Sequence, residues 1–162
     1  MRKLLLVLAL LVTGCDQWTK HLARTHLDAP RELLGGTVVL WRAENRGAFL
    51  SWGSDLPDGV RIALLTAGVA VLVVAAIVGM FKSVELTSGI ALALIVGGGA
   101  GNLVDRVMRG GFVTDFLFVR AGPLHTGIFN VADVAVMIGV GLLLLGAANR
   151  GNASEEQRVT RP

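Results

Sequence analysis

Two stretches of this chain, Ile62 to Phe81 and Leu86 to Val104, run for 20 and 19 residues without a charged side chain. A helix needs about 20 apolar residues to cross a hydrocarbon core of ~30 Å, so both are long enough to span a bilayer. A third run, Val134 to Asn149, has 16 residues and reaches spanning length if Gly127 to Ala132 supplies its first turns. The N-terminal run, Leu4 to Cys15, has only 12. It spans only if the helix continues through Asp16-Gln17-Trp18-Thr19-Lys20 to Leu22 or beyond. The chain is 17% charged, against about a quarter in a soluble domain. The expectation is therefore an all-α membrane protein with four transmembrane helices, at about 4–23, 61–81, 86–106 and 128–149.

The 162 residues allow one domain, read as a membrane domain over 1–150 with a polar, disordered tail over 151–162. The longest polar stretch, His21 to Val60, is expected to carry a small β-element within 24–60. There Thr37 to Trp41 and Ala48 to Trp52 flank the turn Glu44-Asn45-Arg46-Gly47 and read as a hairpin. Phe112 to Val119 reads as a second extended piece on the same side of the membrane. In the third helix Gly97 and Gly101 stand at GxxxG spacing, the pattern of small residues that lets helices in lipid approach closely.

Charge bears on orientation. The face that would hold both chain ends and Lys82 carries six of the 15 basic residues, and the other face nine. The first helix usually dominates, however, and Arg2-Lys3 before an apolar run favours a cytoplasmic N-terminus. The basic residues are scattered singly, which points away from nucleic acid. A single cysteine, Cys15, excludes an intrachain disulfide. His21, His26 and His125 show no metal-ligand spacing, so neither a metal nor a cofactor is expected.

Charged and amide groups at membrane depth are costly and tend to mark function. Asp16 and Lys20, at i and i+4, form either a helical ion pair or a substrate contact. Asn102, Asp105 and Arg109 share one helix face, with Arg106 beside Asp105, so Asp105 is expected to stay ionised between two guanidinium groups in a structural role. Asp115 and Asp133 differ, since no basic residue lies three or four positions away on either side. Taken singly, each could cap a helix or top an exposed loop. As a pair brought close in an apolar setting they would share one proton. One would then activate water and the other protonate a carbonyl oxygen.

Five blocks carry a resemblance. They are Asp16-Gln17-Trp18-Thr19-Lys20, Asn45-Arg46-Gly47-Ala48-Phe49, Gly98 to Arg106 (GGAGNLVDR), Val113-Thr114-Asp115-Phe116 and Phe129-Asn130-Val131-Ala132-Asp133. In this order they resemble the bacterial lipoprotein signal peptidases (signal peptidase II), a family of intramembrane aspartic proteases. The resemblance implies a catalytic pair at Asp115 and Asp133, cytoplasmic chain ends, and a β-element over an active site at the periplasmic side of the inner membrane. It implies a prolipoprotein substrate whose Cys carries diacylglycerol, cut just before that Cys, with membrane lipid as the other partner and a monomeric enzyme. Asp16, Lys20, Asn45, Gly47, Gly101, Asn102, Asp105, Arg106, Asn130 and Ala132 would shape and line the site.

Two features depart from the family's pattern. Phe49 comes one position early after Asn45-Arg46-Gly47-Ala48, which bears on loop shape and substrate preference. Val12-Thr13-Gly14-Cys15 resembles a lipobox, which raises a rival: a non-enzymatic membrane protein lipid-anchored at Cys15. The continuation of the first helix through Asp16 to Lys20, and three further apolar runs, oppose it. A small transporter subunit would also use intramembrane acids, but the chain has no repeat of broken helices.

Overall fold

The structure is a computed structural model that describes residues 1–47 and 57–159. It is mostly helical, with a small antiparallel sheet. Helix α1 covers Arg2–His26, α2 Asp58–Lys82, α3 Leu86–Met108 and α4 Val131–Val159. Among the described residues three helices are long and apolar enough to cross a membrane, over Asp58–Lys82, Leu86–Met108 and Val131–Arg150. Many of their apolar side chains point outward, among them Leu64, Leu72, Met137 and Leu144. So large an exposed apolar surface is what a lipid-facing protein presents.

The helix ends follow local chemistry. Helix α2 starts directly after Pro57 with Asp58 in its first turn and Lys82 in its last, both favourable to the helix dipole. Helix α3 ends at Met108, and the chain then turns through Gly110 and Gly111, whose positive φ of 63° and 95° suits residues without a Cβ. At the start of α4, Asn130 Oδ1 accepts the Asp133 N–H (3.0 Å), and Asp133 Oδ2 accepts the Asn130 N–H (3.1 Å). This reciprocal capping box satisfies two backbone donors at once. The helix continues to Val159, past the end of its apolar run at 149.

Helix α3 is the central element. Successive glycines in it face three different neighbours. A Cβ at Gly97 would meet Ala9 and Val12 of α1, one at Gly98 would meet Ala132 and Val136 of α4, and one at Gly99 would meet Val73 of α2. A buried apolar cluster around Leu5, Ala9, Ala76, Met80, Ala93 and Val96 joins α1, α2 and α3.

The sheet has strands β1 (Arg31–Leu33), β2 (Val38–Asn45), β3 (Val113–Ala121) and β4 (Leu124–His125), in the order β1-β2-β3-β4. The expected arm at 48–52 lies outside the described residues. The partners that β2 takes are β1 and β3, with Val38 opposite Val119 and Asn45 opposite Val113. The polar stretch is thus bound to the extended piece that follows α3. An isolated bridge between Leu117 and Phe129 ties β3 to the segment leading into α4. Ala23 of α1 and Leu27, the residue after that helix, pack with Phe116 of β3.

Candidate active site

The end of β2, the start of β3, the polar end of α3 and the first turn of α4 converge on one cluster of carboxyl and amide side chains. Asp115 lies on β3 and is 2% exposed. Its Oδ2 accepts from Asn45 Nδ2 (2.8 Å) and its Oδ1 from Asn130 Nδ2 (2.6 Å). Asp133 Oδ1 accepts from Asn102 Nδ2 (2.8 Å) and its Oδ2 from the Asn130 N–H. Asn130 therefore touches both carboxyl groups, through its side chain and its backbone. Asn130 Nδ2 also lies 3.2 Å from Asn102 Oδ1. Among the described residues, neither Asp115 nor Asp133 takes part in an ion pair.

Burial pushes the Asp115 carboxyl up to about 6, helped by the nearby Asp133 carboxylate. The hydrogen bonds from Asn45 and Asn130, and the charge of Lys20, act the other way. Desolvation wins because two neutral amide donors replace only part of the water that an ionised carboxylate would hold.

Around this cluster lies a buried ionic layer. Asp16 and Lys20 are both fully buried and 2.8 Å apart. Lys20 Nζ also donates to Asn102 Oδ1 (2.8 Å) and stands 3.6 Å from Asp105 Oδ2. Asp16 Oδ1 accepts the Ala132 N–H (2.9 Å), linking α1 to the first turn of α4. Gly101 leaves room for this, since a Cβ there would fall 2.4 Å from Asp16 Oδ2. Gln17, to which the sequence reading gave no role, donates to the Gly101 carbonyl (2.8 Å).

The expectation for Asp105 needs correcting. Its cations come from α1: Lys20, and Arg24 at 3.6 Å. Its Oδ2 also accepts the Thr114 N–H (2.9 Å) at the start of β3. Arg109 pairs instead with Glu44 of β2 (3.2 Å). Arg106 donates to the Asn102 carbonyl (3.3 Å) and lines the cleft beside Asp133. Helix spacing places Arg106 and Arg109 near Asp105 along the chain, but the inward face of α3 is the one that meets α1. The signal for Arg24 was present as the 16-20-24 spacing, an acid and two bases on one face of α1.

Asn45 is fixed by its own loop. Gly47, with φ of 78°, turns its N–H back to Asn45 Oδ1 (2.7 Å), and a Cβ there would strike Leu65. A cleft of about 300 Å³ opens from the cluster between α2, α3 and α4. Val69, Val73, Ile95 and Met137 line its length, and Asn102, Arg106 and Asp133 its polar end. Of the two carboxyl groups only Asp133 lines the cleft, with Asp115 buried behind it. Linked through Asn130, such a pair is of a kind that can carry out acid–base chemistry.

The chain is similar to known proteins over most of its length. The family model for signal peptidase (SPase) II matches residues 8–148. The lipoprotein signal peptidase of Syntrophotalea carbinolica is 36% identical over 145 residues, which is 88% of this chain and 89% of that protein. Its namesake in Azoarcus sp. is 34% identical and covers 97% of this chain and 89% of its own length. Two solved bacterial membrane enzyme structures, obtained by the in meso method, superpose with TM-scores of 0.78 and 0.77 at 25% and 26% identity. They cover 91% and 90% of this chain, and 88% and 92% of theirs. A buried aspartate-and-amide site, a match over most of the length and a shared fold lead to one conclusion: the chain belongs to the signal peptidase II family.

Proposed function

We propose that Asp115 and Asp133 are the catalytic dyad with which this aspartic-type signal peptidase removes the signal peptide of a prolipoprotein, cutting before a diacylglyceryl-modified Cys. The observation that carries the reading is the bridge made by Asn130, which holds both carboxyl groups together with no cation paired to either among the described residues. Two such groups hold a single proton between them, because a second negative charge is both repelled and poorly solvated. Water placed between them gives a proton to the ionised carboxylate as its oxygen attacks the scissile carbonyl carbon. The protonated partner donates to the carbonyl oxygen. Collapse of the tetrahedral intermediate breaks the C–N bond. The leaving nitrogen takes the proton that the base collected from water, and a hydroxyl of the intermediate returns its proton to the other carboxylate, which restores the dyad to its starting state.

The setting we infer is a multi-pass protein of the bacterial inner membrane, acting as a monomer. In it α1 is a fourth crossing helix, 1–150 forms one membrane domain, and both ends are cytoplasmic. The sheet and dyad then face the periplasm. Burying the Asp16–Lys20 pair against α3 lowers the cost of carrying those charges through lipid. The apolar cleft between α2, α3 and α4 suits acyl chains or an apolar signal sequence.

The test is incubation of the purified protein in detergent with a diacylglyceryl-modified prolipoprotein. Release of the signal peptide is expected from the lipidated substrate alone. Asp115→Asn and Asp133→Asn should each abolish cleavage while retaining substrate binding, and the double variant should be little worse than either. Asp105→Asn should lower stability yet leave measurable turnover. Near-wild-type cleavage by Asp133→Asn, with none by Asp105→Asn, would overturn the assignment.

A further inference from the structure

Three asparagines supply the side-chain amide donors to the two carboxyl groups, and each has its carbonyl oxygen occupied by a donor from elsewhere. Asn45 Oδ1 accepts the Gly47 N–H, and Asn130 Oδ1 accepts the Asp133 N–H. For Asn102 the donors are side chains: the ammonium of Lys20, 2.8 Å from Oδ1, and, at the longer distance of 3.2 Å, Asn130 Nδ2. An ammonium has three donors and no acceptor, so only the oxygen end of an amide can face it. The NH2 end of Asn102 must then point the other way, toward Asp133 Oδ1 at 2.8 Å.

We propose that Lys20 is a positioning residue of the reaction: it fixes the Asn102 amide in the one orientation that aims an N–H at Asp133. Backbone N–H groups do the same for Asn45 and Asn130 at no cost in charge. At Asn102 the chain uses a fully buried ammonium, held in place by Asp16 at 2.8 Å. Without it only the longer contact from Asn130 Nδ2, 3.2 Å from Oδ1, opposes a flip of the Asn102 side chain, after which its oxygen would face the Asp133 carboxylate, acceptor against acceptor. The Asp16–Lys20 pair thus acts on the chemistry through a neutral relay rather than by touching substrate. This rests on the dyad reading above.

The experiment is a double-mutant cycle on cleavage of a diacylglyceryl-modified prolipoprotein. One arm is Asp16→Asn/Lys20→Met, which removes both charges together and so leaves no unpaired buried ion. The other is Asn102→Ala. Each arm should lower kcat at least about tenfold with KM nearly unchanged, since the lost interaction belongs to the reacting carboxyl group. The combined variant should fall no more than about twofold further, because both arms break the same relay. Multiplying losses in the combined variant would overturn the proposal, as would a loss confined to KM. If the Asp16→Asn/Lys20→Met protein fails to fold, Asn102→Ala alone still decides, since near-wild-type kcat in it removes the relay. Asp133→Asn measured alongside separates the two readings. Turnover surviving there refutes the dyad itself, whereas a dead Asp133→Asn with an additive cycle refutes only the role of Lys20.

Discussion

At the scale of single residues, the site is a set of carboxyl groups whose surroundings differ in kind. Asp16 and Asp105 face cations at 3.6 Å or less, while Asp115 accepts from two amides and has no ion-pair partner among the described residues. A pH dependence follows for Asp115. Its carboxyl sits at about 6 in the folded protein against 3.8 ordinarily, so the native state binds that proton more tightly than the unfolded chain does. Native stability should therefore be fully present below pH ~4, fall as the pH rises from about 4 to about 6, and stay level above. The total fall for this one group is on the order of 3 kcal/mol. Thermal unfolding in detergent across that range should show the slope in the wild type. Asp115→Asn should lose it, whatever its absolute stability. A slope of the same size in both proteins would mean that Asp115 is not the group responsible.

At the scale of elements, the close approach of α3 to its neighbours sets the positions of the polar side chains. At Gly98 the obstacle is backbone, because a Cβ there would run into the Ala132 carbonyl oxygen, next to Asp133. Gly98→Ala should push α3 and α4 apart, cost about 1–3 kcal/mol and reduce cleavage with it. Gly141 lies in α4 with nothing within 4 Å of such a Cβ. Gly141→Ala should be neutral or stabilising by about 0.5–1 kcal/mol, the helix preference of Ala over Gly. Melting temperatures of the two variants in one detergent would check the contrast. A Gly98→Ala protein as stable and active as the wild type would show that the packing is looser than drawn. Sheet pairing is the other element-scale fact. Strand β2 carries Asn45 to Asp115 only because its register with β3 sets Ala43 opposite Asp115 and Asn45 opposite Val113.

At the scale of the whole molecule, the proposed orientation places the α2–α3 turn in the cytoplasm and the β3–β4 turn in the periplasm. Cys15 is the one native thiol and is exposed on α1, so labelling needs a Cys15→Ser background. That substitution should keep full activity and membrane insertion, since no contact in the site uses the thiol. In intact cells, Leu124→Cys should react with a membrane-impermeant maleimide and Ser83→Cys should be protected until the cells are opened. The reverse pattern would invert the topology, and a mature chain beginning at a lipidated Cys15 would favour the lipid-anchored alternative.

Taken alone, the chain determined α2 and α3, because a charge-free run of 19 or 20 residues has few other stable fates and its length is counted within one element. It also marked Asp115 and Asp133, since the lack of a basic neighbour at helical spacing is a local property, and the five ordered blocks named the family. Only the tertiary structure decided who partners whom. Lys20 and Arg24 reach Asp105 from another helix, β2 pairs with a strand about 70 residues later, and three amides turn their donors to two carboxylates. Periodicity encodes which face of an element is buried, but not what lies opposite it. That was fixed by the separations at which α1, α3 and α4 pack, and over such distances a buried charge is bonded or stranded by a shift of about an ångström.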